Sequence, residues 1–281
     1  METIEIPAGS YTFTGRAAGP ADGRLVVLLH GFPQSSLQWR HQIEALAEAG
    51  YRAVAFDQRG YSPGARPEDV EAYRMQHLVA DDLSVADELG GHRLDLVGHD
   101  WGAAVAWNVA GRYPERLRTL TAVSVPHPAA FLAVLLGGSA DQALRSSYIA
   151  FFRQHGAPEK TLLARDAAGL RALYSASGLT DDAIAEYVAL LQQPGALSGA
   201  LNWYRAASQE DLEAMGPVTT PTLYVWSDKD VALGREAAEA TAGHVSGPYR
   251  FEVLEGVSHW VPEEAPDRFN GLLLEHLQAW D

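Results

Sequence analysis

The sequence predicts an α/β protein whose mostly parallel, doubly wound sheet is interrupted once by an all-helical insertion. Three observations carry that prediction. Apolar runs of strand length alternate with helix-forming stretches up to about residue 127, the pattern of right-handed strand–helix–strand units. The rhythm stops between about Pro128 and Gly216, where no buried strand can be read. It resumes at Thr222 and continues through the last helix. We therefore expect a core domain from residues 1–127 and 217–281, and a helical cap over 128–216 at the carboxyl ends of the strands, where open α/β sheets bind ligands.

Each element has its own reason. Ile4 to Ile6 and Tyr11 to Thr14 are β-prone and separated by Pro-Ala-Gly-Ser, which predicts a hairpin. Arg24-Leu-Val-Val-Leu-Leu-His is continuously apolar, as in a strand buried on both faces. A helix follows from about Ser36 to Ala49, closed by Gly50, and Tyr51 to Phe56 is the next strand. A long loop leads to a helix over Met75 to Leu89, which Gly90-Gly91 ends. Leu94 to Val97 is a strand, Ala103 to Ala110 a helix stopped by Pro114, and Leu117 to Val125 another strand. Within the insertion, helices are expected at Phe131 to Leu136, Gln142 to His155, Pro158 to Arg165, Asp181 to Leu191 and Leu197 to Ala207. The strands Thr222 to Trp226 and Tyr249 to Leu254 precede a final helix from Ala265 to Ala279.

Composition narrows the function classes. The net charge of −15 disfavours a nucleic-acid partner, because such a surface repels phosphates. The absence of cysteine removes thiolate nucleophiles, disulfides and cysteine metal sites. The amino terminus lacks a basic and an apolar leader region, and no apolar run approaches a membrane span. These features lead us to expect a cytoplasmic protein with no membrane association. Nothing in the sequence speaks for or against a homodimer.

The chemistry centres on Gly98-His-Asp-Trp-Gly102, where a strand reverses straight into a helix. Small residues on both sides of Asp100 let the backbones pass closely, and the central residue is expected in a strained conformation. Aspartate is also a good helix N-cap, which would explain Asp100 without any chemistry. A carboxylate on such a turn, the nucleophile elbow, instead becomes a nucleophile if a base and an orienting acid accompany it. His259, in the loop after the last strand, is placed to be that base, although any one of 10 histidines is more often structural. The acid is Asp230 or Asp228, both in the loop after the preceding strand; Asp230 is favoured because more loop lets it turn back towards the histidine. The strand ending near Val125 continues Pro-His-Pro and offers no carboxylate. In His30-Gly-Phe-Pro33, the backbone N–H of Phe32 is placed with that of Trp101 to hold an oxyanion. Pro33 fixes this loop, and a cis bond before it is one way to do so.

These motifs resemble those of the α/β-hydrolase-fold epoxide hydrolases, with the dehalogenases as close cousins. The resemblance runs from about Gly23 to the carboxyl end and includes Val125-Pro-His-Pro-Ala-Ala-Phe131. It implies an α/β-hydrolase fold and a cofactor-free, metal-free hydrolase that converts small organic epoxides and water to vicinal diols through an ester on Asp100. It also implies two cap tyrosines that donate to the epoxide oxygen. Leu201-Asn-Trp-Tyr204-Arg-Ala is similar to the second tyrosine motif and Ser147-Tyr148-Ile-Ala-Phe-Phe-Arg, less tightly, to the first. Either tyrosine could also be ordinary aromatic packing.

Two other readings share the fold. A haloalkane or haloacid dehalogenase would use the same aspartate, but Phe32 stands where haloalkane dehalogenases commonly carry asparagine. Asp57-Gln-Arg-Gly-Tyr and Ser62-Pro-Gly-Ala-Arg depart from the arginine loop of the fluoroacetate type. A non-catalytic ligand-binding protein of this fold would hold a complete Asp100, Asp230 and His259 set only by accident. Pocket shape would depend on Phe131 to Leu136, Phe151, Phe152 and Leu197, while Trp39, Trp107, Trp203 and Trp260 are expected to pack in the core.

Overall fold

A computed structural model describes residues 1–174, 177–213 and 215–280. Among them eight strands form one sheet: β1 (Glu2–Ala8), β2 (Tyr11–Ala18), β3 (Leu25–Leu29), β4 (Arg52–Phe56), β5 (Leu94–His99), β6 (Leu117–Val123), β7 (Thr222–Ser227) and β8 (Tyr249–Leu254). Their order is β1-β2-β4-β3-β5-β6-β7-β8. The β1–β2 and β2–β4 pairs are antiparallel and the remaining pairs are parallel. The expected hairpin is present, and it forms the antiparallel margin of an otherwise parallel sheet.

Strand periodicity sorts the core into two layers. Val26, Leu28, Ala53, Ala55, Val97 and Val225 face helices α1 (Arg40–Glu48) and α13 (Pro266–Gln278), through Ile43, Leu46, Phe269 and Leu273. Val27, Leu29, Val54, Phe56 and Leu96 face the other way, towards α2 (Met75–Glu88) and α3 (Trp101–Arg112). Because both faces are covered, β3, β5 and β7 are buried at every residue, and β3 accordingly reads as an unbroken apolar run.

Between β6 and β7 the described residues form helices and no sheet strand: α4 (Pro128–Leu136), α5 (Ala140–Arg145), α6 (Tyr148–Phe152), α7 (Ala157–Leu173), α8 (Asp181–Leu191), α9 (Ala196–Ala206) and α10 (Gln209–Glu213). Helices α11 (Arg235–Ala240) and α12 (Val261–Glu264) follow β7 and β8. The helical segment is tied to loops at the carboxyl ends of the strands. Trp203 Nε1 donates to the Arg59 carbonyl at 2.9 Å and the Tyr174 hydroxyl to the Pro33 carbonyl at 2.5 Å.

Three helix expectations need correction. The helix expected over Gln142 to His155 is α5 and α6 with Ser146 and Ser147 between them. There Gln142 donates to Ser146 Oγ at 3.0 Å and to the Ala232 carbonyl at 2.9 Å, so tertiary bonds to the β7 loop hold a short helix. The helix expected to stop at Arg165 does leave helical geometry at Ala164–Ala167 but then resumes to Leu173. The helix expected from Ser36 opens with a 3-10 turn over Ser36–Trp39, which Ser35 Oγ caps at Leu37 N–H. The last helix lies where expected, as α13, and the short α12 before it ends at Ala265 (φ −131°), the residue before Pro266. No helix among the described residues is long and apolar enough to cross a membrane.

Candidate active site

Asp100 sits between β5 and α3 at φ 52°, ψ −121°, a conformation disfavoured for any residue with a side chain. The flanking glycines make the corner possible. A Cβ on Gly98 would lie 2.3 Å from the Gly102 carbonyl oxygen, and one on Gly102 would lie 2.1 Å from that of Leu29. The carboxylate is thereby pushed out at the end of the sheet, away from the capping position: its side chain makes no cap bond to α3.

The two carboxylate oxygens face different partners. Oδ1 accepts the Phe32 backbone N–H at 2.8 Å, and the Trp101 N–H also donates to the carboxylate. The Phe32–Pro33 peptide is cis. Oδ2 lies 3.6 Å from His259 Nε2. The other nitrogen, His259 Nδ1, is 2.8 Å from Asp230 Oδ2, and Asp230 Oδ1 accepts the N–H groups of Ala232 at 2.8 Å and Leu233 at 3.0 Å. Asp228 takes no part in this line; its Oδ1 accepts the Gly256 N–H at 2.6 Å.

Charge follows from these contacts. Burial acts against ionisation of His259, but the carboxylates of Asp230 and Asp100 outweigh it and lift the imidazole pKa to about 10. Burial likewise opposes the Asp100 carboxylate, yet the neighbouring His259, with smaller contributions from His99 and the Trp101 backbone, holds its pKa below the usual value. The Tyr204 and Tyr148 phenols are pushed up, first by burial and then by neighbouring groups that include the Asp100 carboxylate. Both therefore remain O–H donors throughout the range where proteins are folded.

Tyr148 and Tyr204 come from α6 and α9 and lie with ring centroids 6.2 Å apart. The Tyr204 ring is held edge-on by Phe32, Trp101 and Phe152, at 5.5, 5.1 and 5.2 Å. Both tyrosines line two cavities together with Asp100. One, of about 290 Å³, extends past Phe32, Phe152, Leu173 and Trp260. The other, of about 120 Å³, extends past Ala104, Phe131 and Ile149, and its walls adjoin a third of about 270 Å³ bounded by Trp203, Met75 and Arg153.

The structure thus brings together Asp100, His259, Asp230, Phe32, Trp101, Tyr148 and Tyr204. Phe131 and Phe152 line the cavities as expected, whereas Leu197 is buried in the core. Trp39 and Trp107 are core residues, but Trp203 and Trp260 also form cavity walls, a correction to their reading as packing alone. Sequence reasoning missed Leu173, which carries no motif, and two groups behind His259, namely His99 and Ser124. His99 stands inside the elbow motif and had a signal; Ser124 had none, since a positive φ in serine leaves no trace in sequence.

The model of the α/β hydrolase fold family matches residues 24–266. The chain belongs to the α/β-hydrolase fold family. Among the relatives of this hydrolase, the AB hydrolase superfamily protein YfhM of Bacillus subtilis is 38% identical over 93% of both chains. Epoxide hydrolase 4 of Mus musculus is 36% identical over 98% of this chain and 79% of its own. Among solved structures, epoxide hydrolase A from Mycobacterium thermoresistibile superposes with a TM-score of 0.88 at 30% identity, covering 100% of this chain and 99% of that one.

Proposed function

We propose that this α/β-hydrolase is an epoxide hydrolase, converting small organic epoxides to vicinal diols through an ester on Asp100. The observation that carries the reading is the pair of phenols, Tyr148 and Tyr204, that line the same two mostly apolar cavities as the Asp100 carboxylate. Similarity to proteins named epoxide hydrolases supports it. Residues 128–216 serve as the cap that contributes the phenols and encloses the substrate.

In the first step Asp100 Oδ2, the oxygen free of the backbone donors, attacks an epoxide carbon and the C–O bond of the ring breaks. Tyr148 and Tyr204 donate to the departing oxygen, which would otherwise leave as an unstabilised alkoxide. The ester keeps Oδ1 as its carbonyl oxygen, which already accepts the Phe32 N–H, and the Trp101 N–H serves as the second donor. In the second step His259 takes a proton from water, which attacks Cγ; the two N–H groups stabilise the oxyanion, and its collapse breaks the Cγ–Oδ2 bond while His259 returns the proton to the departing oxygen, releasing the diol. Asp230 orients the imidazole and stabilises its charged form.

Esterification also switches the base on. While Asp100 is ionised, it is one of two carboxylates that keep His259 protonated. Once it is an ester, its charge is gone and the histidine pKa falls, so the imidazolium can give up its proton, which restores the phenol that donated in ring opening, and the neutral ring serves as base. Proton acceptance is therefore timed to follow alkylation. A halide leaving group would need weakly acidic N–H donors rather than phenols, and Phe32 has no side-chain amide to offer.

The test is the intact mass of His259→Gln after incubation with a terminal aryl epoxide, and separately with a haloalkane. An adduct of the whole epoxide mass that is missing in Asp100→Ala is expected. An alkyl adduct from the haloalkane alone would assign dehalogenation instead.

A further inference from the structure

We infer that His99 and Ser124 are positioning residues for the base: together they clamp the His259 carbonyl and set the gap between imidazole and nucleophile. The inference rests on the reading of Asp100 as nucleophile and His259 as base. His259 lies in the loop between β8 and α12, outside regular structure, so nothing in a helix or strand ladder fixes its backbone. Its carbonyl oxygen instead accepts two bonds, from His99 Nε2 at 2.8 Å and from Ser124 Oγ at 3.1 Å.

Each donor is itself held firmly. His99 is fully buried at the end of β5, directly before Asp100 in the chain, and its ring centroid is 4.8 Å from that of His259. A single residue therefore links the nucleophile's backbone to the base's backbone. Burial, with a smaller contribution from His259, keeps the His99 ring neutral. A neutral ring has one N–H, and Nε2 carries it here because the carbonyl can only accept; Nδ1 has no partner.

Ser124 follows β6 at φ 66°, in a three-residue turn closed by Val125 N–H donating to the Val123 carbonyl at 2.8 Å. Its N–H donates to the Val225 carbonyl at 2.8 Å and its carbonyl accepts the Tyr224 hydroxyl at 2.9 Å. Glycine would adopt this φ without strain. What serine adds is a hydroxyl, and the partner of that hydroxyl is the His259 carbonyl. The clamp matters because Nε2 and Oδ2 are 3.6 Å apart, beyond a normal hydrogen bond. The hydrolytic water must reach both Nε2 and Asp100 Cγ, and small displacements of a base cost rate steeply.

The test is rapid-quench single turnover of a terminal aryl epoxide by Ser124→Gly, His99→Phe and His99→Gln, with intact mass reporting free and alkylated enzyme. In Ser124→Gly and His99→Phe we expect alkylation within about twofold of the unaltered enzyme and ester hydrolysis slowed about tenfold or more, so the ester accumulates. His99→Gln retains a side-chain N–H and should recover part of the hydrolysis rate. Ser124→Gly suits the local φ, so its thermal unfolding is expected to stay near that of the unaltered chain. Equal losses in both steps, or unchanged hydrolysis alongside a trapped adduct in His259→Gln, overturn the clamp alone. No adduct in His259→Gln overturns the underlying reading and the clamp with it.

Discussion

The Tyr204 phenol is packed edge-on by three aromatic rings and shares two cavities with Asp100 and Tyr148, so a phenyl ring would fit its place while removing the donor. Tyr204→Phe and Tyr148→Phe are each expected to slow alkylation about 10²–10³-fold, the usual cost of one lost transition-state donor. Stopped-flow quenching of Trp101 or Trp260 fluorescence would measure it, and unaltered alkylation in both variants would remove the phenols from the mechanism. His259 makes a second residue-scale prediction. Its folded pKa of about 10 lies above the unfolded value of 6.5, so its contribution to stability is fully present below about pH 6.5. That contribution declines above it and is lost as pH rises through about 10. Urea unfolding of the unaltered chain and His259→Gln should therefore differ most near pH 6, less at each step above it, and converge in strong alkali; a constant difference would contradict the ion line.

At the scale of an element, the β5–α3 corner stands on close backbone contact. A Cβ at Gly102 would meet the Leu29 carbonyl at 2.1 Å, an atom fixed inside the buried strand β3. Gly102→Ala should destabilise the fold by about 3 kcal/mol, the upper end of the overpacking range, because backbone rather than a movable side chain must give way. Chemical denaturation gives the value, and a loss below about 1 kcal/mol would mean the corner relaxes easily. The same corner explains why sequence was so informative here. Its glycines, its carboxylate and its flanking strand and helix each had a local cause. The α5–α6 break had none: Gln142 finds its partners in the β7 loop, at Ala232 and Gly234, far away in sequence.

For the whole molecule, the central sheet was legible because burial on both faces leaves continuous apolar strands, and the site followed because its residues sit at strand ends. Asp100, His259 and Asp230 could be ordered along the chain before any distance was known. The enclosure was less legible. Leu173 and Trp260 become cavity walls only through the packing of α7 over the β8 loop, and Tyr174 reaches the Pro33 carbonyl from that helix. The assembled enclosure leaves two spaces that meet Asp100, one of about 290 Å³ and one of about 120 Å³. Epoxides substituted on both ring carbons should therefore turn over, not terminal ones alone. Ala104→Phe, which fills the smaller space, should depress kcat/KM for the disubstituted substrate by about tenfold relative to a terminal one. Equal effects on both substrates would show that only one space is used.

The unequal surroundings of the two Asp100 oxygens leave an isotopic signature. Oδ1 accepts the Phe32 N–H, while in the proposed mechanism Oδ2 departs with the product and is replaced from water. In heavy-oxygen water the first diol should therefore carry an unlabelled oxygen from the protein, and each later diol the oxygen acquired one cycle before. A carboxylate that cannot turn over in its mooring will retain its original Oδ1 indefinitely. After many cycles the peptide containing Asp100 should be heavier by one oxygen; two would mean that the carboxylate flips between turnovers.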